Sequence, residues 1–140
     1  MALTEALALV GERWTLLVVR EVSLGLRRFS ELQASTRAPR TVLADRLRRL
    51  IDAGLLETRE YRLPGARPRE EYILTAAGTD LLPVLAALSD WADRHTAGPA
   101  RAEVVYRHAG CGGRVTAGLQ CTCGEAVSAP DRVVASVDRS

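Results

Sequence analysis

The sequence predicts a mainly α-helical domain carrying one β-hairpin, followed by a small β-type appendage. Three observations lead there. Apolar residues recur at helical spacing through much of residues 1–97, a Pro-Gly turn separates two alternating segments, and residues 98–140 turn glycine-rich and hold every cysteine. The boundary is accordingly placed near Gly98, giving a domain over 1–97 and a segment over 98–140.

Composition bounds the class. With 140 residues, 47% hydrophobic and 26% charged, the chain has enough apolar surface to offset the entropy of ordering. No run of eighteen apolar residues occurs, so no membrane-spanning helix and no membrane partner are expected. The first residues carry Glu5 and no Lys or Arg; a secretory leader is therefore not expected, and the expected compartment is the cytoplasm.

Leu3, Leu7 and Val10 share one helical face, and Gly11 reads as a stop. Trp14 to Leu24 is apolar around most of its circumference and reads as a buried central helix ended by Gly25. Phe29-Ser-Glu-Leu starts a short third helix, with Ser30 as its N-cap. Pro39 precedes an amphipathic helix over 40–53, with Leu43, Leu47, Leu50 and Ile51 on one face and Gly54 as terminator. Leu55 to Leu63 and Glu70 to Leu74 flank Pro64-Gly-Ala-Arg-Pro as a hairpin with a basic tip. Thr75 caps one last helix with Leu81, Leu85, Leu88 and Trp91 as an apolar stripe and Pro83 as an internal bend.

Charge is unevenly spread. All 19 basic residues are Arg, and residues 27–69 hold 11 of them against 5 acids, a local +6 within a chain of +2. Such polarity suits a polyanion partner. Two helices joined by a short turn, the second bearing Arg40, Thr41, Asp45, Arg48 and Arg49 away from its apolar stripe, match a helix-turn-helix. The hairpin, with Arg62, Arg67 and Arg69 around its tip, then makes a wing. Arg40 and Thr41, near the helix start, are the candidates for base edges; Arg48, Arg49 and Arg67 for phosphate or minor-groove contact. Arg28, Ser30 and Arg37 complete the expected DNA-facing set. Double-stranded DNA is the expected partner, against the plainer reading of a solvated charged face.

Val10-Gly-Glu-Arg-Trp-Thr-Leu-Leu, Gly25-Leu-Arg-Arg-Phe-Ser-Glu-Leu, Leu43-Ala-Asp-Arg-Leu-Arg-Arg-Leu, Ala53-Gly-Leu-Leu and Glu71-Tyr-Ile-Leu-Thr with Gly78 resemble the HxlR family of bacterial winged helix-turn-helix regulators, over about residues 3–95. The resemblance implies a homodimeric transcriptional regulator, a repressor by analogy. Its first and last helices would form the interface through Leu3, Leu7, Leu81, Leu85, Leu88 and Trp91. Many members place a Cys-Pro pair just before the first helix; Met1 and Ala2 stand there in this chain. A small-molecule effector is a further expected partner. Trp14 and Trp91 are candidates for its pocket, although packing in the core and at the interface is the simpler reading.

The appendage supplies different chemistry. His108-x-x-Cys111-Gly and Cys121-x-Cys123-Gly resemble two metal knuckles separated by a hairpin over 114–119. Three thiolates and an imidazole suit a tetrahedral structural zinc, the expected cofactor, and a small segment poor in apolar residues gains most from such a staple. Unliganded cysteines and a reversible redox pair remain the alternatives, and the second would make a thiol-responsive regulator. Catalysis is not expected: phosphate loop, nucleophile elbow and helical metal-protease signature are all missing, leaving only a Cys123–His108 pairing. A winged-helix interaction module without DNA contact is the remaining rival.

Overall fold

The computed structural model of the chain describes residues 2–98 and 104–137. It divides into two compact units, Met1–Leu85 and Ala86–Ser140, a division that falls inside the last helix. Four helices open the chain: α1 (Ala2–Val10), α2 (Arg13–Ser23), α3 (Phe29–Thr36) and α4 (Arg40–Asp52). The hairpin follows as β1 (Leu56–Tyr61) and β2 (Arg69–Leu74), then α5 (Ala76–Thr79) and α6 (Leu82–His95). No helix among the described residues is long and apolar enough to cross a membrane.

The first unit is built around α2, which packs against α3, α4 and β2. Val18, Val19, Leu32, Leu43, Leu47, Leu50 and Leu56 are fully buried, so the periodic apolar positions of three helices and the first strand meet in one core. Helix α4 ends as its sequence suggests. Gly54 takes φ 76°, Leu55 N–H reaches Leu50 O at 2.9 Å and Gly54 N–H reaches Ile51 O at 3.0 Å, a left-handed cap that satisfies the last carbonyls and aims the chain into β1.

The hairpin is antiparallel with Leu56 opposite Leu74 and Tyr61 opposite Arg69. Its tip closes through Ala66 N–H to Leu63 O at 3.0 Å, with Pro64 leading and Gly65 at φ 75°; this is the Pro-Gly order that a type II turn requires. Tyr72 N–H also donates to Arg27 O at 2.7 Å, so the segment entering α3 lies against the outer edge of the wing.

Three expectations need correction. Ser30 is the second residue of α3, not its cap. The helix begins at Phe29, two residues earlier than that cap would give, because the Glu31 carboxylate accepts the backbone N–H groups of Arg27 and Arg28 at 3.1 and 3.2 Å. The last helix is two helices. Thr75 caps only α5, accepting Gly78 N–H at 3.1 Å, and Pro83 lies in the first turn of α6, where its missing N–H has no intrahelical role. The appendage hairpins surround the cysteine turns instead of separating them. The bridge Arg107–Arg114 flanks the first turn, and β3 (Leu119–Gln120) pairs with β4 (Ala126–Val127) around the second.

Candidate nucleic-acid interface

Helix α3 is held to α2 by a buried carboxylate. Glu21 is 4% exposed and accepts Ser35 Oγ at 2.6 Å, with the Arg20 guanidinium beside it. The pair fixes the mutual register of the two helices, since the buried Glu21 carboxylate is costly to leave without its donors. The turn to α4 is three residues long. Its first, Arg37, has φ 58° and is the one non-glycine residue with positive φ recorded among the described residues; Ala38 is buried behind it. This tight turn swings Arg40 out at the start of α4.

On α4, Arg40, Thr41 and Arg48 are exposed and Asp45 is half-buried, on the side away from Leu43, Leu47 and Leu50. Two guanidiniums rest on aromatic rings. Arg40 lies 5.1 Å from the Phe29 ring centre and Arg28 lies 4.6 Å from that of Tyr61. Such stacking orders a long side chain without using its in-plane donors. The second stack also ties the start of α3 to the end of β1. At the wing tip Arg62 Nε donates to Ala66 O at 3.2 Å, while Arg67 in the loop and Arg69 at the start of β2 are exposed. Arg37, Arg40, Arg67 and Arg69 have no carboxylate partner among the described residues, and the Arg28 charge acts on Glu31. Ser30 is exposed on the first turn of α3.

The C-terminal half of α4 differs. Asp45 gathers Arg46, Arg48 at 2.8 Å and Arg49 at 3.0 Å, and Glu12, just ahead of α2, pairs with Arg46 and stands 3.8 Å from Arg49. Arg48 and Arg49, expected to meet phosphate, are thus engaged within the chain, and Asp45 anchors them instead of facing a base. Their exposed pairs are individually weak and could exchange for phosphate. Sequence reasoning missed Glu12 and Arg46, because their meeting is a long-range contact with no local spacing. It also missed Arg27 and Arg59, which share Glu71.

Of the residues expected at a dimer contact, Leu3 (71% exposed), Leu7, Leu88 and Trp91 are exposed. Leu81 is half-buried. Leu85 is buried within its own chain and so does not belong to the exposed apolar face. Trp91 lies against His95; Trp14 is half-buried with the Arg13 guanidinium over its ring.

In the appendage, His108 Nδ1 stands 3.3 Å from Cys111 Sγ, which also accepts Gly113 N–H at 3.4 Å. Cys121 and Cys123 form the second pair. The backbone N–H of Cys123, and next its thiol, hold the Cys121 thiol below its ordinary value. All three cysteines are exposed and free. The structure brings the four expected ligands together two by two; no three metal-ligating side chains converge among the described residues.

Comparison with known proteins agrees with this geometry. The model of the HxlR-like helix-turn-helix family matches residues 9–99. The uncharacterized HTH-type transcriptional regulator Rv3095 of Mycobacterium tuberculosis is 42% identical over 125 residues, 89% of this chain and 78% of its own. The crystal structure of PA1607 superposes with a TM-score of 0.76 at 28% identity, covering 94% of this chain and 91% of that one. The reduced form of the transcriptional regulator YodB from Bacillus subtilis gives 0.58 at 28%, covering 66% of this chain and 90% of that one. A recognition helix with an unpaired cation at its start, a wing stacked on the start of α3, and these relatives together place the chain in the HxlR-like helix-turn-helix family of transcriptional regulators.

Proposed function

We propose that the protein is a homodimeric repressor that binds a pseudo-palindromic operator, with half-sites about one helical turn (~34–36 Å) apart. The observation that carries this reading is the division of charge along α4: its first turn and the wing tip present guanidiniums without carboxylate partners, while the cations farther along are neutralised within the chain. Arg40 and Thr41 read base edges in the major groove. Arg62, Arg67 and Arg69 reach the flanking groove, and Arg28, Ser30 and Arg37 contact the backbone between them. Dimerisation is supported by the exposed leucines of α1 and by Leu88 and Trp91 on α6. Repression follows if the operator overlaps the promoter, since the dimer then blocks access to the duplex.

The test is fluorescence anisotropy on DNA from upstream of the protein's own gene, with competitor. Arg40→Ala should cost roughly 1–3 kcal/mol and relax base preference, while Arg37→Ala, at a proposed backbone contact, should weaken all sequences alike and flatten the salt slope. Unchanged operator preference in Arg40→Ala would sink the assignment.

For the appendage we propose the zinc reading, through His108, Cys111, Cys121 and Cys123. In support, each cysteine turn aims a backbone N–H at a sulfur, at Cys111 from Gly113 and at Cys121 from Cys123, an arrangement that favours thiolate. Because the pairs stand apart, binding would require the two turns to close. The second reading is thiol redox control by the exposed Cys121–Cys123 pair; YodB, known in reduced and diamide-treated forms, is among the similar structures. Elemental analysis of reduced protein separates them: about one zinc per chain supports the first, and metal-free protein whose DNA affinity changes with oxidant supports the second.

A further inference from the structure

Glu12 is the last residue before α2 and has extended backbone there, φ −83° and ψ 141°, yet its carboxylate makes no cap hydrogen bond to its own helix. It crosses to α4 instead, pairing with Arg46 and standing 3.8 Å from Arg49. Arg46 is what holds it there. The Arg46 side chain is only 17% exposed, and its two outer nitrogens face Glu12 and Asp45. Its Nε is buried without a hydrogen-bond partner among the described residues. A cation this far from water is costly to leave without its carboxylates, which sets the Glu12–Arg46 pair apart from the exposed pairs beside it.

The charge of this group does not balance. Three guanidiniums, those of Arg46, Arg48 and Arg49, share the two carboxylates of Glu12 and Asp45, so one positive charge is left over. Without Glu12 two would be left, and the enclosed Arg46 would have first claim on Asp45. Arg49, with its side chain 59% exposed, is the cation then released. Its place on the helix gives that release a consequence. Thr41, Asp45 and Arg49 follow one another at four-residue steps along one side of α4, so Arg49 lies about 12 Å beyond Thr41 along the axis. The major groove is itself about 12 Å wide. With the first turn of α4 at base edges, Arg49 reaches the phosphates at the groove's lip, and an anchored carboxylate beside it repels them.

We propose that Glu12 is a positioning residue of the DNA interface: fixed by Arg46, it withholds Arg49 from phosphate and so weakens the protein's hold on duplex of any sequence. This rests on the DNA-binding reading above. A residue that merely kept α4 in place would act differently, since a displaced recognition helix loses base preference, whereas an added phosphate contact strengthens all sequences alike.

The experiment is fluorescence anisotropy of the full chain across a salt series, on DNA from upstream of its own gene and on a scrambled duplex of equal length. At about 0.1 M salt Glu12→Gln should bind both at least threefold more tightly, and its plot of log affinity against log salt should steepen by about 0.9 for each chain bound. Preference between the duplexes should not change. Glu12→Ser removes the same charge while offering α2 the cap it lacks; it should show the same gain, and it keeps the test decisive if glutamine disturbs the fold. Adding Arg49→Ala to either variant should abolish the gain. Glu125→Gln, the same loss of charge in the other unit, should produce none. Variants that gain nothing, while the native chain still prefers the upstream DNA, overturn the restraint alone. So does a gain that survives Arg49→Ala, appears on one duplex only or is matched by Glu125→Gln. If neither the native chain nor any variant holds duplex at low salt, the DNA-binding reading fails and takes this one with it.

Discussion

Between Val18 and Leu56 seven side chains are fully buried, whereas no side chain described in residues 104–137 is buried. The first region is held by apolar contact among α2, α3, α4 and β1. The second is held by short hydrogen-bonded turns, His108 N–H to Gly113 O and Cys121 N–H to Glu125 O, with cysteines at their corners. The difference is one of mechanism: the DNA-reading unit carries its own hydrophobic core, and the described part of the appendage relies on backbone pairing, polar contacts such as Arg107 to Gly112 O at 3.0 Å, and whatever its thiols bind.

Substitutions can sharpen or break that contrast. The largest effect belongs in the core. Leu43→Ala removes a fully buried side chain from beneath the recognition helix and should lower unfolding free energy by about 2–5 kcal/mol in urea denaturation. A loss near zero would mean that the core is not where stability resides. Next is Leu88→Asp, on an exposed apolar position of α6. It should halve the mass in light scattering while leaving monomer secondary structure unchanged, since it adds no charge to the buried core.

Smaller still is Cys111→Ser. Global unfolding should shift by less than about 0.5 kcal/mol, yet amide exchange over 104–134 should accelerate and zinc content should drop. A shift as large as that of Leu43→Ala would show that the two regions fold as one. The smallest effect concerns Glu31, whose carboxyl lies below its ordinary value of 4.5 because it accepts the backbone N–H groups of Arg27 and then Arg28. A lowered folded value means stability present above the unfolded value and lost as pH falls through the folded one. The advantage of the native chain over Glu31→Gln should therefore be slight at pH 7 and vanish in acid, measured by thermal melts. An advantage that grows on acidification contradicts the cap.

What the sequence makes legible follows the same division. Periodic leucines place α2 and α4, and Pro64-Gly65 places the wing, because those signals are local and tertiary packing agrees with them. The break between α5 and α6 was hidden, since Thr75 and Pro83 are each compatible with one helix when read alone. At the interface, the residue types were readable but their partners were not. Asp45 lies within one turn of its arginines and its pairing was discoverable from spacing. Glu12 meets Arg46 only once α2 and α4 pack. Arg59 and Glu71 meet through strand register, and Arg27 joins them only once the segment ahead of α3 lies along β2.

Arg37 shows what the turn between α3 and α4 gives up. A glycine would adopt its φ of 58° without the roughly 1 kcal/mol that a side chain incurs in left-handed backbone. On the DNA-binding reading proposed above, arginine there keeps a guanidinium at the point where the chain turns towards the duplex. Thermostabilisation of this protein by relieving strained backbone would therefore begin at a position where robustness and grip on DNA compete.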